Sequence, residues 1–334
     1  MLTLIAAAAA SAALPPRPLR DFSDWTVGCD NGRTCQAVAL QPESVPEDDP
    51  PFWTLSATRG GGSLAPPEVA VEALFAQADL AARLIADSGP TPFQFDASGA
   101  LIVGGDPVLL LRTLARARAL TLVDAKGKTV GRLSPRGATA ALRWMDEQQL
   151  RAGTTSAVIA IGSRAAPQIG PELPGIVSPP QSTKPPRQLA SSEVAAIRKR
   201  YGCGRVANEK VDAHRLDAAT SLAIVPCMVH AYQASSIAVV LGESGRWRPV
   251  PLERRFADPN PDETPEWMTS PDYDPDTRSL WTDYKGRGLG DCGGSESYVW
   301  DGRRFRLAYL NAMDRCAGSR ARITLWRTAN QPEP

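Results

Sequence analysis

Hydrophobic residues along the chain fall into short blocks whose spacing predicts several strands and a few helices. In the first half, apolar runs at residues 25–27 and 37–40 flank the pair Asn31-Gly32. Asn-Gly is a strong signal for a two-residue hairpin turn, because both residues adopt the positive φ angles that such a turn requires. The chain is therefore predicted to begin its fold with an antiparallel hairpin.

Two helices are predicted farther along the first half. Asp106-Pro107 is typical of a helix N-terminus, and the apolar residues behind it recur at helical spacing. Ser134-Pro135 gives the same signal for a second helix, which Gly153 is expected to end. Residues 120–123 and 157–161 are predicted to be strands, because each is a short run rich in β-branched or apolar residues.

The second half is predicted to contain one short helix followed mainly by strands. The helix is capped by Ser191 or Ser192 and ends at Gly202. Turn residues separate several of the strands, as at Asp301-Gly302, which favours antiparallel pairing. The predicted strands are residues 222–225, 236–241, 279–284, 297–300, 305–310 and 323–326.

A proline-rich stretch divides the chain into two predicted domains. Residues 166–190 contain seven prolines and few residues able to anchor a core, which is typical of a partly extended linker. A length of 334 residues also suits two domains of ordinary size. We therefore predict an α+β fold with domains at residues 20–165 and 191–330, each with a mainly antiparallel sheet and a few short helices.

The N-terminus resembles an export signal. The run Leu2 to Ala10 is apolar, and Ala10-Ser11-Ala12 fits the small-residue cleavage pattern, although no basic residue precedes Arg17. The run is shorter than the 20 or so residues that a transmembrane helix needs. Residues 1–13 are therefore predicted to be a signal peptide, and no membrane span is expected.

Composition and charge exclude some partners. The chain has 37 Lys and Arg residues against 36 Asp and Glu, a net charge of +1. A nucleic-acid-binding surface usually requires a basic excess, so no nucleic-acid partner is expected.

Six cysteines form three couples that are close in sequence. An even number of cysteines behind an export signal is typical of disulfides in an oxidising compartment. The local pairing Cys29–Cys35, Cys203–Cys227 and Cys292–Cys316 is favoured, because the first couple brackets the predicted hairpin turn and lies far from the others. The alternative pairs Cys203 with Cys316 and Cys227 with Cys292.

Residues with recognisable chemistry are few. The two histidines, His214 and His230, could activate a cysteine nucleophile only if a thiol were free, and every cysteine has a plausible partner. Paired Cys or His ligands at zinc spacing do not occur. Glycines 286, 288 and 290 lack the spacing of a phosphate or dinucleotide loop and precede a predicted strand instead of a helix. No catalytic residue, metal site or cofactor is predicted.

Several motifs are distributed over most of the chain. They are Asp24-Trp25-Thr26-Val27-Gly28-Cys29-Asp30-Asn31, Ala140-Ala141-Leu142-Arg143-Trp144-Met145-Asp146, Val225-Pro226-Cys227 with Ala231-Tyr232, Gly286-Arg287-Gly288-Leu289-Gly290-Asp291-Cys292-Gly293, Trp300-Asp301-Gly302 with Phe305, and Leu325-Trp326-Arg327. Together they resemble a family of exported Gram-negative proteins, known as domain of unknown function 1176, and the first of them also resembles the invasion-associated locus B family of exported proteins. This resemblance implies export and structural cysteines, and it implies no activity.

Two function classes follow from these features. The first is a periplasmic or secreted protein of the cell envelope that binds a protein or an envelope polymer and has no enzymatic activity. The second is a hydrolase of cell-wall material with a site that the sequence does not reveal. The first is the better supported, because no nucleophile constellation is recognisable in the sequence.

Overall fold

Antiparallel sheets make up most of the chain. The computed structural model describes residues 18–42, 52–62, 66–74, 83–88, 93–95, 102–103, 106–166, 170–204, 206, 210–253 and 267–329. Within these ranges, four five-stranded sheets and three short helices are present, and every ladder between strands is antiparallel. The predicted α+β class is confirmed. The predicted signal peptide, residues 1–13, lies outside the described residues.

The first sheet is a meander in which each strand pairs with the next along the chain. The predicted hairpin around Asn31-Gly32 is confirmed, with Cys29 directly opposite Cys35. Its turn is longer than the predicted two residues: residues 30–34 connect the strands, and Arg33, with a φ of 61°, has the positive angle that was expected at Asn31 and Gly32. The strands are β1 (Arg20–Phe22), β2 (Trp25–Cys29), β3 (Cys35–Ala39), β4 (Phe52–Arg59) and β5 (Pro67–Leu74).

The second sheet has the strand order β10-β9-β6-β7-β8, and two helices accompany it. The helix predicted behind Asp106 is confirmed, because the Asp106 carboxylate accepts a hydrogen bond from the Val108 N–H at 2.8 Å. The elements are β6 (Arg83–Ala86), β7 (Phe93–Phe95), β8 (Ile102–Val103), α1 (Pro107–Arg116), β9 (Leu120–Val123), β10 (Thr129–Leu133) and α2 (Ala138–Gln148).

Helix α2 begins later than Ser134-Pro135 predicts. Its N-cap is Gly137, which has a φ of 101° and makes no side-chain capping bond. The Ser134 hydroxyl instead donates to the Asp24 carboxylate at 2.6 Å. A Cβ at Gly137 would lie 1.7 Å from the Phe22 carbonyl oxygen, so only glycine permits this approach to β1.

The predicted strand at residues 157–161 is wrong, because these residues form an irregular loop. The carboxylate of Asp146, at the end of α2, accepts hydrogen bonds from the backbone N–H groups of Val158, Ile159 and Ala160 at 2.7–3.0 Å. Backbone donors that would otherwise face a neighbouring strand are thus bound by one side chain. Helix α2 also ends at Gln148, before the predicted stop at Gly153.

The third sheet opens the second half of the chain. The helix predicted before it is confirmed, although its N-cap is Ala190 and the Glu193 carboxylate accepts the Ala190 N–H at 2.9 Å. Strand β13 lies centrally and pairs with three others. The elements are α3 (Ser191–Tyr201), β11 (Asp212–Arg215), β12 (Thr220–Val229), β13 (Ala234–Gly242), β14 (Trp247–Pro249) and β15 (Trp267–Thr269).

The fourth sheet is a second meander, and it carries the surface discussed below. Its strands agree with the runs predicted at residues 279–284, 297–300, 305–310 and 323–326. The strands are β16 (Asp272–Asp274), β17 (Ser279–Lys285), β18 (Gly293–Trp300), β19 (Phe305–Met313) and β20 (Ile323–Arg327).

The buried apolar residues form four clusters. One lies between the first two sheets and helices α1 and α2, one between the third and fourth sheets, and one between α3 and the third sheet. The remaining cluster joins the two halves of the chain, because Val38 and Leu40 pack with Leu310, Ile323 and Leu325. The division into domains at residues 20–165 and 191–330 stays a prediction, and these halves share buried contacts.

A polar contact reinforces this junction. The Asn31 amide donates to the Arg327 carbonyl at 3.0 Å and accepts the Arg327 N–H at 2.9 Å. The Arg327 guanidinium binds the buried Asp30 carboxylate and donates to the Thr34 hydroxyl at 3.0 Å. The hairpin turn closed by Cys29 and Cys35 is thereby attached to the end of β20.

Three disulfides cross-link the chain between residues that are close in sequence. They join Cys29 to Cys35, Cys203 to Cys227 and Cys292 to Cys316, which is the local pairing favoured above. The first bond lies within the first sheet, the second joins the segment just after α3 to β12, and the third joins the loops before β18 and β20, so each bond fixes a separate part of the fold. Among the described residues, no helix combines the length and the apolar character that crossing a membrane requires.

Candidate functional site

The glycine-rich turn, residues 286–291 between β17 and β18, is braced by hydrogen bonds, an ion pair and a disulfide beside an open surface of the fourth sheet. Its ends are joined by a hydrogen bond from the Gly286 N–H to the Cys292 carbonyl at 2.9 Å. The Arg287 guanidinium donates two hydrogen bonds to the Asp291 carboxylate, at 2.7 and 2.6 Å. The Cys292–Cys316 disulfide lies directly behind the turn and ties it to the loop before β20. The turn is therefore held in one conformation.

Asp291 is the centre of this bracing. Its side chain is fully buried and also accepts the Gly318 N–H at 2.8 Å. Burial alone would raise the pKa of Asp291, but the hydrogen bonds from Arg287 and Gly318 and the charge of Arg287 outweigh it and hold the pKa below its ordinary value. The carboxylate is thus a structural anchor between the turn and residues 316–318.

An open groove of about 520 Å³ lies on one side of the turn. We call it the cationic groove, because three of the side chains that line it are basic. Its described lining residues are Lys285, Leu289, Gly290, Tyr309, Asn311, Arg320 and Arg322.

Tyr309, Asn311 and Arg322 on the floor of the cationic groove belong to a hydrogen-bonded network that also includes side chains of β17, β18 and β20. The Asn311 amide donates to the Tyr309 hydroxyl at 3.2 Å, and this hydroxyl lies 3.1 Å from the Thr324 hydroxyl. The Arg322 guanidinium binds the Asp283 carboxylate and donates to the Ser295 hydroxyl at 2.6 Å. The floor therefore presents hydroxyl, amide and guanidinium groups whose positions are fixed by one another.

The charges of the groove are unevenly compensated. Asp283 is the counter-ion of Arg322. Glu72, on β5 of the first sheet, interacts electrostatically with Arg320; burial raises the pKa of Glu72, and the charge of Arg320 opposes that rise. Lys285 is exposed, and the salt bridges of the described residues do not include it. The groove consequently keeps a net positive charge.

A second, more enclosed pocket of about 330 Å³ lies next to the turn, because Tyr232, which lines it, donates a hydrogen bond from its hydroxyl to the Gly286 carbonyl at 3.4 Å. We call it the aromatic pocket, because Tyr232 and Trp267 line it together with His230, Gln233, Ser235 and Thr269. The Gln233 amide oxygen accepts the Lys285 N–H at 3.0 Å, so this loop packs directly against the glycine-rich turn.

The aromatic pocket contains one pair of groups with catalytic potential. The His230 Nε2 atom lies 3.0 Å from the Ser235 hydroxyl, which is within reach for proton transfer. The other histidine lies elsewhere: His214, on β11, stacks against Tyr273 with ring centroids 4.8 Å apart. Burial lowers the pKa of His214, and nearby Asp212 and Asp272 oppose this effect.

One group of potential metal ligands occurs among the described residues. Asp291, Cys292 and Cys316 place a ligand atom each within 4.8 Å of one another. The two sulfur atoms are joined in the disulfide, whereas a metal site needs thiolates. Arg287 already occupies the carboxylate. This group therefore does not fit a metal ion.

The six cysteines singled out in the sequence contribute to this surface only through Cys292 and Cys316. Sequence reasoning missed the basic and polar lining of the cationic groove, because its members come from two strands and two loops. Their relationship becomes visible only with the strand register, in which Asp283, Ser295 and Asn311 lie opposite one another on adjacent strands. The glycine-rich motif was the one available signal.

Comparison with known proteins agrees with the motifs. The family described as "Protein of unknown function (DUF1176)" matches residues 19–329. A relative from Escherichia coli (strain K12), described as "Uncharacterized protein YpfG", is 28% identical over 338 residues, which cover 92% of this chain and 92% of that protein. No solved structure matches the chain. Since the family match spans nearly all of the sequence, the chain belongs to the DUF1176 family of proteins of unknown function.

Proposed function

We propose that this protein is an exported binding protein of the bacterial cell envelope, periplasmic or secreted, and that it acts without catalysis through the cationic groove. The single observation that carries the proposal is the combination of an open, positively charged groove with a turn braced by a disulfide and by the ion pair of Arg287 with the buried Asp291 carboxylate. Preorganised surfaces bind partners with a smaller loss of entropy than mobile ones.

Export is supported by the disulfides and by the N-terminal sequence. Three disulfides are typical of proteins that fold in an oxidising compartment. The apolar leader and its small-residue cleavage pattern fit the same route, as does the resemblance of the opening motif to the invasion-associated locus B family. N-terminal sequencing of the protein from a periplasmic extract should give a start near Ala13 or Leu14. Recovery of the uncleaved chain from cytosol alone would contradict export.

The binding role is tested by capture from an envelope fraction. Immobilised wild-type protein should retain a partner protein or polymer that the double variant Lys285→Glu with Arg320→Glu does not retain. Arg303→Glu is the matched control, because Arg303 is exposed on the turn at the far ends of β18 and β19. Equal retention by all three proteins would show that the groove is not the binding surface.

A hydrolase remains the second candidate, and the His230–Ser235 pair is the observation that favours it. In that case the Ser235 hydroxyl would attack the carbonyl carbon of an ester or amide, and His230 Nε2 would take its proton and pass it to the departing alcohol or amine. Water would then release the acyl group from Ser235. A fluorophosphonate probe should then label the wild-type protein and leave Ser235→Ala unlabelled. The binding proposal expects no labelling of either protein, and it expects Ser235→Ala to retain the captured partner.

A further inference from the structure

We infer that the cationic groove binds an anionic glycan, meaning a saccharide chain that carries carboxylate or phosphate groups. This inference rests on the proposed function of the groove as a binding surface. It adds the chemical class of the ligand.

A row of polar side chains crosses four strands at the groove, and Asn311 of this row lines the groove itself. Asp283 lies opposite Ser295, Ser295 opposite Asn311, and Asn311 opposite Thr324 in consecutive ladders. Directly opposed residues of antiparallel strands project from the same face of a sheet. Hydroxyl, amide and carboxylate groups in such a row provide both donors and acceptors, as a ligand rich in hydroxyl groups requires.

The basic side chains supply the attraction for an anion. Lys285 and Arg320 are both exposed, and the salt bridges of the described residues involve neither of them. A guanidinium can bind a carboxylate or a phosphate through two parallel hydrogen bonds, and an ammonium adds a point charge. Arg322 also lines the groove, and its guanidinium is fixed by Asp283, Ser295 and the Tyr284 carbonyl.

The position of the groove favours a glycan over an acidic peptide. Extended peptides commonly bind by adding a strand to a free sheet edge. The groove instead lies over β19, whose backbone is paired with both β18 and β20 at Asn311, and beside the end of β17, where the Gln233 side chain already binds the backbone N–H of Lys285. Leu289, which is 41% exposed, gives the wall an apolar surface for the C–H face of a sugar ring. The volume of about 520 Å³ falls in the range of small-molecule sites, enough for a short saccharide segment.

The test measures binding of four short probes to the full chain by isothermal titration calorimetry. The probes are hexagalacturonate, a phosphorylated pentamannose, neutral maltohexaose and hexaglutamate. We expect at least one anionic saccharide to bind, and maltohexaose and hexaglutamate to bind at least about tenfold more weakly, a difference of about 1.4 kcal/mol. Comparison of the two anionic saccharides shows which group the groove prefers: carboxylate if hexagalacturonate binds more tightly, and phosphate if the phosphorylated pentamannose does.

Three variants separate specific recognition from general attraction. Lys285→Glu with Arg320→Glu should raise the Kd of the anionic saccharide at least about tenfold, whereas Arg303→Glu should leave it unchanged. Tyr309→Phe keeps every charge and removes one hydroxyl from the floor. It should raise the Kd of the saccharide by a factor of about three to ten and leave the dependence of Kd on salt unchanged. If the groove were a purely electrostatic patch, loss of this hydroxyl would not change the Kd.

Three results would overturn the inference: equal binding of hexaglutamate, equal binding of maltohexaose, or no binding of either anionic saccharide. Equal binding of hexaglutamate would assign the groove to acidic peptides. If no saccharide binds but envelope capture still depends on Lys285 and Arg320, the inference is wrong and the proposed function stands. If envelope capture is also independent of Lys285 and Arg320, both the inference and the proposed function are wrong.

Discussion

At the scale of single residues, buried aspartates hold irregular segments of the chain in place. Asp146 binds three consecutive N–H groups of the loop behind α2, and Asp291 binds Arg287 and the Gly318 N–H. Asp30 binds Arg327 across the two halves of the chain. Each of these aspartates belongs to one of the motifs that resemble the family. Its contacts give the aspartate of that motif a structural role.

Replacing Asp291 by Asn should destabilise the protein. The amide cannot accept the two charge-assisted hydrogen bonds of Arg287, and a buried arginine contact would lose its counter-ion, at a cost of about 2–4 kcal/mol. Thermal unfolding at neutral pH measures this loss. Asp276→Asn is the control: Asp276 is exposed on a turn, and its replacement should change stability by no more than about 0.5 kcal/mol.

The same carboxylate makes stability depend on pH in a defined direction. Since the pKa of Asp291 in the folded protein lies below its ordinary value of 3.8, its contribution is present above that value and is lost as the pH falls through the folded pKa. The difference in Tm between wild type and Asp291→Asn should therefore narrow as the pH is lowered towards about 3. A difference that stays constant over this range would contradict the assigned role of Asp291.

At the scale of elements, the glycine-rich turn requires glycine where it enters β18. Gly293 has a φ of 134°, and a Cβ at this position would lie 2.0 Å from the Tyr284 carbonyl oxygen. The backbone of the partner strand β17 therefore approaches Gly293 more closely than a residue with a side chain at position 293 would allow. This contact fixes the edge of the cationic groove, since Lys285 is the residue paired with Gly293.

Gly293→Ala should consequently destabilise the protein by at least about 2 kcal/mol, because the backbone conformation and the close contact are both incompatible with a Cβ. Chemical denaturation gives this value. Gly245→Ala provides the comparison, since a Cβ there would meet no atom within 4 Å. If the two alanine variants were equally stable, the close approach of β17 and β18 would be wrong.

The elements that were predictable from sequence are those specified by local residues. The hairpin at Asn31-Gly32 and the start of α1 at Asp106 depend on neighbours in the chain, and both were predicted correctly. The loop at residues 157–161 was predicted wrongly as a strand, because the group that binds its backbone N–H groups is the Asp146 side chain, more than ten residues away in the sequence. The cationic groove was not predictable for the same reason, since strand register and loop packing bring its residues together.

At the scale of the whole molecule, the two predicted domains are linked by more than the proline-rich segment. The apolar cluster of β3, β19 and β20 and the contacts of Arg327 with Asp30 and Asn31 join the first sheet to the fourth. A Glu72 carboxyl from the first sheet also acts on Arg320 in the groove. The first half of the chain thus contributes to the electrostatics of a groove lined by the second.

Cleavage within residues 166–190 should leave two pieces that remain associated. The buried contacts between the halves resist separation, and Arg327→Ala should weaken them because it leaves the buried Asp30 carboxylate without its partner. Size-exclusion chromatography of the cleaved protein measures the association. Arg303→Ala serves as the control and should behave as the wild type. Separate elution of the wild-type pieces would instead support two independent domains.

The most direct measurement of the central claim is photo-crosslinking in living cells from within the cationic groove. The photoreactive amino acid p-benzoylphenylalanine replaces Leu289, which lines the groove, or Leu109, which is 56% exposed on helix α1. The binding account predicts a discrete crosslinked species from position 289 that is absent from position 109 and is abolished by Lys285→Glu with Arg320→Glu. Crosslinking from position 109 alone, or a product at position 289 that the charge reversals do not affect, would contradict it.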